Sequence, residues 1–304
     1  MSVPVFYSEK YFCEGYGVDT REKARDIAES LAADPITGIE MMEARAATKD
    51  EMLIAHTPQY INGILTGRPE RAAANNGIGE WSRELATSVQ YSTGGFIEAA
   101  AIAYTKRTNA GSLSSGIHHA KKSHGAGFCT INSLIISARI ALAMGAKRVV
   151  IIDFDAHCGG GTASLITKGE GIEQYDVSVS GYDKYESTEY AYLVMSNGTT
   201  YQQDIRAMLD SIPNPETIDL VLYNAGMDPH ENCSTGGAKG ITSFDLYQRE
   251  KMVFHWAAVA NVPVAFALAG GYSNARLPRA ELVDLHRLTI KAAADFNNWN
   301  KCES

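Results

Sequence analysis

The chain has 304 residues, 45% hydrophobic and 20% charged, enough for one large α/β domain or two small ones. Its 27 Lys and Arg against 35 Asp and Glu give a net charge of −8, with no basic cluster to hold a phosphate backbone. Nucleic acid is therefore not an expected partner, and an acidic surface mildly favours cationic substrates.

In chain order, an apolar strand at 3–7 precedes a helical pattern at 19–32. His56-Thr57-Pro58-Gln59-Tyr60 opens a further helix, followed by a loop-like stretch at 66–79 and a long helix at 82–106. Two histidines then stand in tandem in Ser115-Gly116-Ile117-His118-His119-Ala120, ahead of Gly125-Ala126-Gly127-Phe128-Cys129 and a helix at 132–144. The β-branched run at 148–153 reads as a buried parallel strand and continues into Asp153-Phe154-Asp155-Ala156-His157-Cys158-Gly159-Gly160-Gly161. A strand at 175–179, a second loop-like stretch at 181–200 and a helix at 202–211 follow. The strand at 218–224 leads to Gly226-Met227-Asp228; after a helix at 243–259, the strand at 262–269 leads to Gly270-Gly271-Tyr272, and a helix at 282–294 closes the pattern. Strands alternating with helices along the whole length predict a single α/β domain over 1–304: a mostly parallel sheet flanked by helices. The two loop-like stretches hold too few apolar residues to be domains and are expected to frame a site mouth.

Alternate residues of a strand point the same way, so Asp153, Asp155 and His157 are expected on one side. Burying such groups together is costly unless a cation gathers them, and oxygen and imidazole ligands suit catalytic zinc. The chemistry of an open parallel sheet gathers beyond the carboxyl ends of its strands, and Asp228 and Tyr272 also stand at such ends.

These motifs, in this order, resemble the histone deacetylase family of the arginase/deacetylase fold: the His-x-Pro-x-Tyr helix, a Gly-Gly helix start (Gly94-Gly95), the His-His pair, Asp-x-Asp-x-His, Gly-x-Asp and Gly-Gly-Tyr. Ala156 within the Asp-x-Asp-x-His motif and Ile117 before the histidine pair are similar to the class IV branch. The resemblance implies a zinc-dependent amidohydrolase that removes acetyl or longer acyl groups from lysine side chains or polyamines. One Zn2+ would be held by Asp155, His157 and Asp228, leaving positions open for water and a substrate carbonyl. His118 and His119 would act as general base and acid, Asp153 would hold His118, and the Tyr272 hydroxyl would donate to the developing oxyanion. Asp153, Asp155, His157, Ser178 and Val179 match the family's ligands for a monovalent cation, expected to be K+. Gly127, Phe128, Gly270 and Gly271 match the wall of a narrow substrate tunnel.

The chain also departs from the family. Members carry Asn or Asp where this chain has Gly160, and that side chain orients the second histidine, so His119 lacks its expected partner. A water, a backbone carbonyl or a residue from another loop must replace it. Gly160→Asn is expected to leave activity similar or higher if the loop accepts a side chain. The family's Pro-Gly-Thr-Gly loop is replaced by Ser180-Gly181-Tyr182-Asp183-Lys184-Tyr185, so Tyr182 and Tyr185 are the candidates for the opposite tunnel wall, and Glu80, beside Trp81, for the clamp on the substrate backbone. Two other readings are a dimanganese ureohydrolase, against which Gly159 stands where that chemistry needs an Asp, and a catalytically silent acyl-binding protein, motivated by Gly160.

Met1-Ser2-Val3-Pro4 opens no signal peptide, and no apolar run approaches the ~20 residues of a membrane helix. Five cysteines, an odd number without a Cys-x-x-Cys pair, fit reduced thiols in a cytoplasm. The expectation is a cytoplasmic enzyme without a membrane partner, its oligomeric state left open.

Overall fold

A computed structural model describes residues 2–13, 22–74, 76–77 and 80–297. Positions 19–21 of the first predicted helix, parts of the 66–79 stretch and Cys302 lie outside the described residues. The elements are β1 (Val3–Tyr7), α1 (Lys23–Ala33), β2 (Ile39–Glu43), α2 (Lys49–Leu53), α3 (Pro58–Thr66), α4 (Glu70–Ala73), α5 (Arg83–Lys106) and β3 (Ala110–Ser112). After them come α6 (Ser133–Ala143), β4 (Val149–Asp153), α7 (Gly160–Ala163), β5 (Ile172–Ser178), β6 (Ala191–Met195), α8 (Tyr201–Ser211), β7 (Leu220–Asn224), α9 (Ser243–Val259), β8 (Val264–Ala267) and α10 (Arg279–Asp295).

The strands form one sheet in the order β2-β1-β3-β8-β7-β4-β5-β6, every neighbouring pair parallel. The central strands are continuous apolar runs buried along their whole length, as they must be with helices on both faces. In register, Asp153 at the end of β4 lies beside Asn224 at the end of β7 and Asp176 of β5. The segments that leave β4, β7 and β8 therefore emerge side by side, and the chemistry collects there.

Several boundaries differ from expectation. The 181–200 stretch is not a plain loop, because Ala191–Met195 pairs with β5 as the edge strand of the sheet. Gly94 and Gly95 lie in the middle of α5, buried beneath the 44–47 segment, rather than at a helix start. The helix after His56 begins where its sequence requires: Thr57 caps the Tyr60 amide and Pro58 occupies the first turn, where its missing N–H costs nothing. Asn132 caps α6 in the same manner through the Ile135 amide.

Candidate active site

Asp155 and His157 follow β4, and Asp228 follows β7, which puts the three on adjacent strand exits. One ligand atom from each lies within 4.8 Å of the others, and all three residues are buried. Nδ1 of His157 stands 3.1 Å from Oδ1 of Asp155 and 3.0 Å from Oδ2 of Asp228. Among the described residues Oδ2 of Asp228 is a buried oxygen with no hydrogen-bond partner. An orphaned carboxylate oxygen aimed at two other ligand groups is what a cation would satisfy, so the residues fit one divalent ion of the zinc type. Gly270 completes the cradle: a Cβ there would lie 2.5 Å from Oδ2 of Asp155 and closer still to Asp228. Burial and the Asp155 charge push the Asp228 carboxyl up to about 6, although His157 opposes them. Burial likewise works against the charge on Asp155, but His118 and His157 hold its carboxyl well below the usual range.

The histidine pair sits above this cluster with ring centroids 3.9 Å apart. Nδ1 of His118 donates to Oδ2 of Asp153 at 2.8 Å, as expected, and its Nε2 lies 3.6 Å from Oδ1 of Asp155. Asp153 is itself fixed from two strands, since its Oδ1 accepts from the Asp155 amide and from Nδ2 of Asn224. Burial alone would lower the His118 pKa, but Asp153 and Asp155 overcome it and raise it to about 10. His119 differs. Burial and the charge of His118 lower its pKa to about 4, with only partial opposition from Asp183. That carboxylate is the partner sequence reasoning missed: Nδ1 of His119 donates to Oδ2 of Asp183 at 3.1 Å.

The mouth of the site is a cavity of about 320 Å3 whose walls include His119, His157, Gly127, Phe128, Tyr182 and Tyr272. Gly127 and Phe128 both line it. Tyr182 lines the same cavity beside Gly127, with its ring edge-on to His119 at 4.9 Å. Tyr185 does not line this cavity; its hydroxyl donates to the Tyr192 carbonyl. A deeper recess is lined by His118, His119, Cys129, Asp155, Gly270 and Tyr272, so Tyr272 borders both spaces. Gly271 is not brought to the tunnel, because it is buried against His286, 2.7 Å from Nε2 for a Cβ placed there. Glu80 is exposed and absent from the cavity wall.

The expected monovalent-cation residues lie along β4 and β5, but with an added carboxylate among them. The Ser178 hydroxyl donates to Asp176, a fully buried acid whose other oxygen accepts from the Gly159 amide at 2.6 Å. Burial and the neighbouring Asp153 raise the Asp176 carboxyl well above its usual range. Sequence reasoning also missed Arg249 of α9, wholly buried, which donates to the Phe154 carbonyl at 3.0 Å and so ties down the turn between Asp153 and Asp155. Cys13, Cys129, Cys158 and Cys233 are buried.

Comparison with known proteins agrees with this architecture. A profile of the histone deacetylase domain matches residues 18–286. An uncharacterized protein of Picosynechococcus sp. (strain ATCC 27264 / PCC 7002 / PR-6) is 29% identical over 252 residues, covering 80% of this chain and 81% of its own. Histone deacetylase 2 of Arabidopsis thaliana is 27% identical over 266 residues, with 81% and 67% covered. The acetoin utilization protein AcuC of Staphylococcus aureus (strain COL) is 28% identical over 283 residues, with 82% and 71% covered. A crystal structure of the HDA15 HD domain superposes with a TM-score of 0.78 at 20% identity, over 97% of this chain and 90% of that one, a likeness of fold. Among the described residues, no helix is long and apolar enough to cross a membrane.

Proposed function

The chain belongs to the histone deacetylase family, and on that footing we propose that it is a zinc-dependent amidohydrolase acting on acylated lysine side chains or acetylated polyamines. The observation that carries this reading is the meeting of three element groups at one point. A cluster of two carboxylates and one imidazole, a histidine pair with separate carboxylate partners, and Tyr272 all border the inner end of one cavity. Asp155, His157 and Asp228 would hold the ion, which supplies Lewis acidity and a bound water of lowered pKa.

The chain's own residues would do the rest. Phe128, Tyr182 and Tyr272 line the cavity, and aromatic walls of this kind suit an unbranched aliphatic side chain. A carboxylate can only accept, so Asp183 fixes the proton of His119 on Nδ1 and leaves Nε2 as the acceptor of a proton from water. His118, charged beside Asp153, is placed to return a proton to the leaving amine. Tyr272 would donate to the oxyanion, where charge exists only in the transition state. A monovalent cation beside Asp153, Asp155, His157, Ser178 and Val179 is part of the same proposal; potassium dependence of activity or thermal stability tests it.

The test is metal analysis of purified protein together with a panel of acyl-lysine peptides and acetylpolyamines. One zinc-type ion per chain and turnover on that panel are expected. Two bridged metals, or no ion with Asp155, His157 and Asp228 intact, would overturn the reading. Intact metal with no turnover would favour an acyl-binding protein instead.

A further inference from the structure

Asp183 lies in the loop between β5 and β6, 64 residues from the histidine it touches. Its side chain is only 10% exposed and is held from three directions. Oδ2 accepts from Nδ1 of His119 at 3.1 Å and from the Gly161 amide at 2.8 Å, while Oδ1 faces Nζ of Lys121 at 2.9 Å. Its backbone takes the left-handed conformation, φ 55°, which Asp tolerates better than most residues. Burial would raise the carboxyl, yet the bonds from His119 and Lys121 keep it below the usual carboxylate range.

Gly160 explains why a loop residue holds this place. A Cβ at Gly160 would press on the carbonyl oxygen of Asp183 and lie 2.8 Å from its Oδ1. A side chain at 160 and the present position of Asp183 therefore exclude each other.

We propose that Asp183 is the positioning residue of His119, delivered by the 181–185 loop into space that Gly160 leaves open. This deepens the proposed function and rests on it for the role of His119. Two consequences set it apart from a structural ion pair. Asp183 fixes His119 as the Nδ1–H tautomer, against the Nε2–H form that a free imidazole prefers. The same loop carries Tyr182, so one loop supplies both a residue of the cavity lining and the holder of the base.

The experiment compares metal-loaded wild type with Asp183→Ala and Asp183→Asn by steady-state kinetics on an acetyl-lysine peptide and by long-range 1H–15N spectra of 15N-histidine-labelled protein, the His119 signal assigned with His119→Gln. For Asp183→Ala we expect kcat to fall about 100-fold, the scale on which a misaligned catalytic group loses rate. KM and bound metal should change less than about twofold, and the His119 signal should move towards the Nε2–H form. Asp183→Asn keeps an acceptor oxygen and should recover both kcat and tautomer in large part. Unchanged kcat with an unchanged tautomer in Asp183→Ala overturns the assignment, as does a parallel loss of metal that Asp183→Asn fails to rescue. A wild type without turnover but with the Nδ1–H tautomer lost in Asp183→Ala would sink the hydrolase reading while upholding the positioning role.

Discussion

His118 and His119 are neighbours in sequence with rings 3.9 Å apart, yet their carboxylate partners have different origins. Asp153 ends a central strand, is fully buried and is fixed by a further bond from β7. Asp183 stands in an irregular loop, is reachable by solvent at its edge and shares its charge with Lys121. The electrostatic outcomes differ as well: Asp153 and Asp155 raise His118 to about 10 against burial, whereas burial and the charge of His118 lower His119 to about 4. Asp183, which shares its charge with Lys121, opposes that lowering only in part, so its main effect on His119 is to orient the ring. The family position that would otherwise serve His119 carries no side chain here, and the loop has taken over the task.

The largest test of this contrast is removal of each imidazole. His119→Ala and His118→Ala should each cost on the order of 10²–10⁴ in kcat, the usual worth of a positioned acid or base. If His119→Ala kept most of its activity while His118→Ala lost it, the base would be His118. Next in size, Tyr272→Phe should lower kcat about 10²–10³-fold with KM little altered if, as proposed, its hydroxyl acts on transition-state charge alone. It belongs to neither pair, so equal losses in binding and turnover would recast Tyr272 as a substrate clamp.

Smaller still, Asp153→Asn should cost about 10–100-fold in kcat/KM, the range seen when a ligand-orienting partner is replaced. Asp183→Asn should cost less than that. A reversed order would break the comparison, since it would make the loop carboxylate the stronger electrostatic partner. Gly160→Asn sharpens it further. Restoring the family side chain, expected from sequence to be neutral or helpful, must instead displace Asp183, because the Cβ has no room. Lower activity and a loss of about 1–3 kcal/mol in thermal or denaturant unfolding are now expected, as for other overpacked sites.

What was legible in the sequence follows the same division. Asp153, Asp155, His157 and Asp228 sit at the ends of strands whose apolar runs are unmistakable, so regular geometry carried the inference from spacing to place. β3 is three small residues, Ala110–Ser112, and β2, Ile39–Glu43, is an edge strand with largely exposed side chains, so neither shows a buried period. β6 lay hidden in a polar stretch for the same reason. Asp183 could not be found from spacing, since a left-handed residue in a loop has no periodicity to read. The signal that pointed to it was negative: a glycine where an orienting side chain was due.

The smallest expected effect concerns the support shared by both histidines. His56 lies beneath the 118–132 segment, 3% exposed, with Nδ1 donating to the Lys121 carbonyl at 2.9 Å and Nε2 accepting from the Asn132 amide at 3.0 Å. Both bonds are made by the neutral ring, and protonation would set an N–H against the Asn132 N–H. Burial accordingly lowers its pKa to about 4, although the backbone bonds resist. A folded value below the unfolded one, near 6.5, means that the unfolded chain binds the extra proton first. Stability from this site is complete above the unfolded value and is lost as pH falls from about 6.5 to about 4. Between about pH 7.5 and 5.5 the loss should be about 1 kcal/mol, measurable as a lower denaturant midpoint at unchanged m-value. His56→Gln retains one donor and one acceptor and should flatten that part of the pH profile relative to wild type. An identical slope in both proteins would remove His56 as the acid-sensitive support of the histidine segment and move the cause to another buried imidazole, His286 being the first to test.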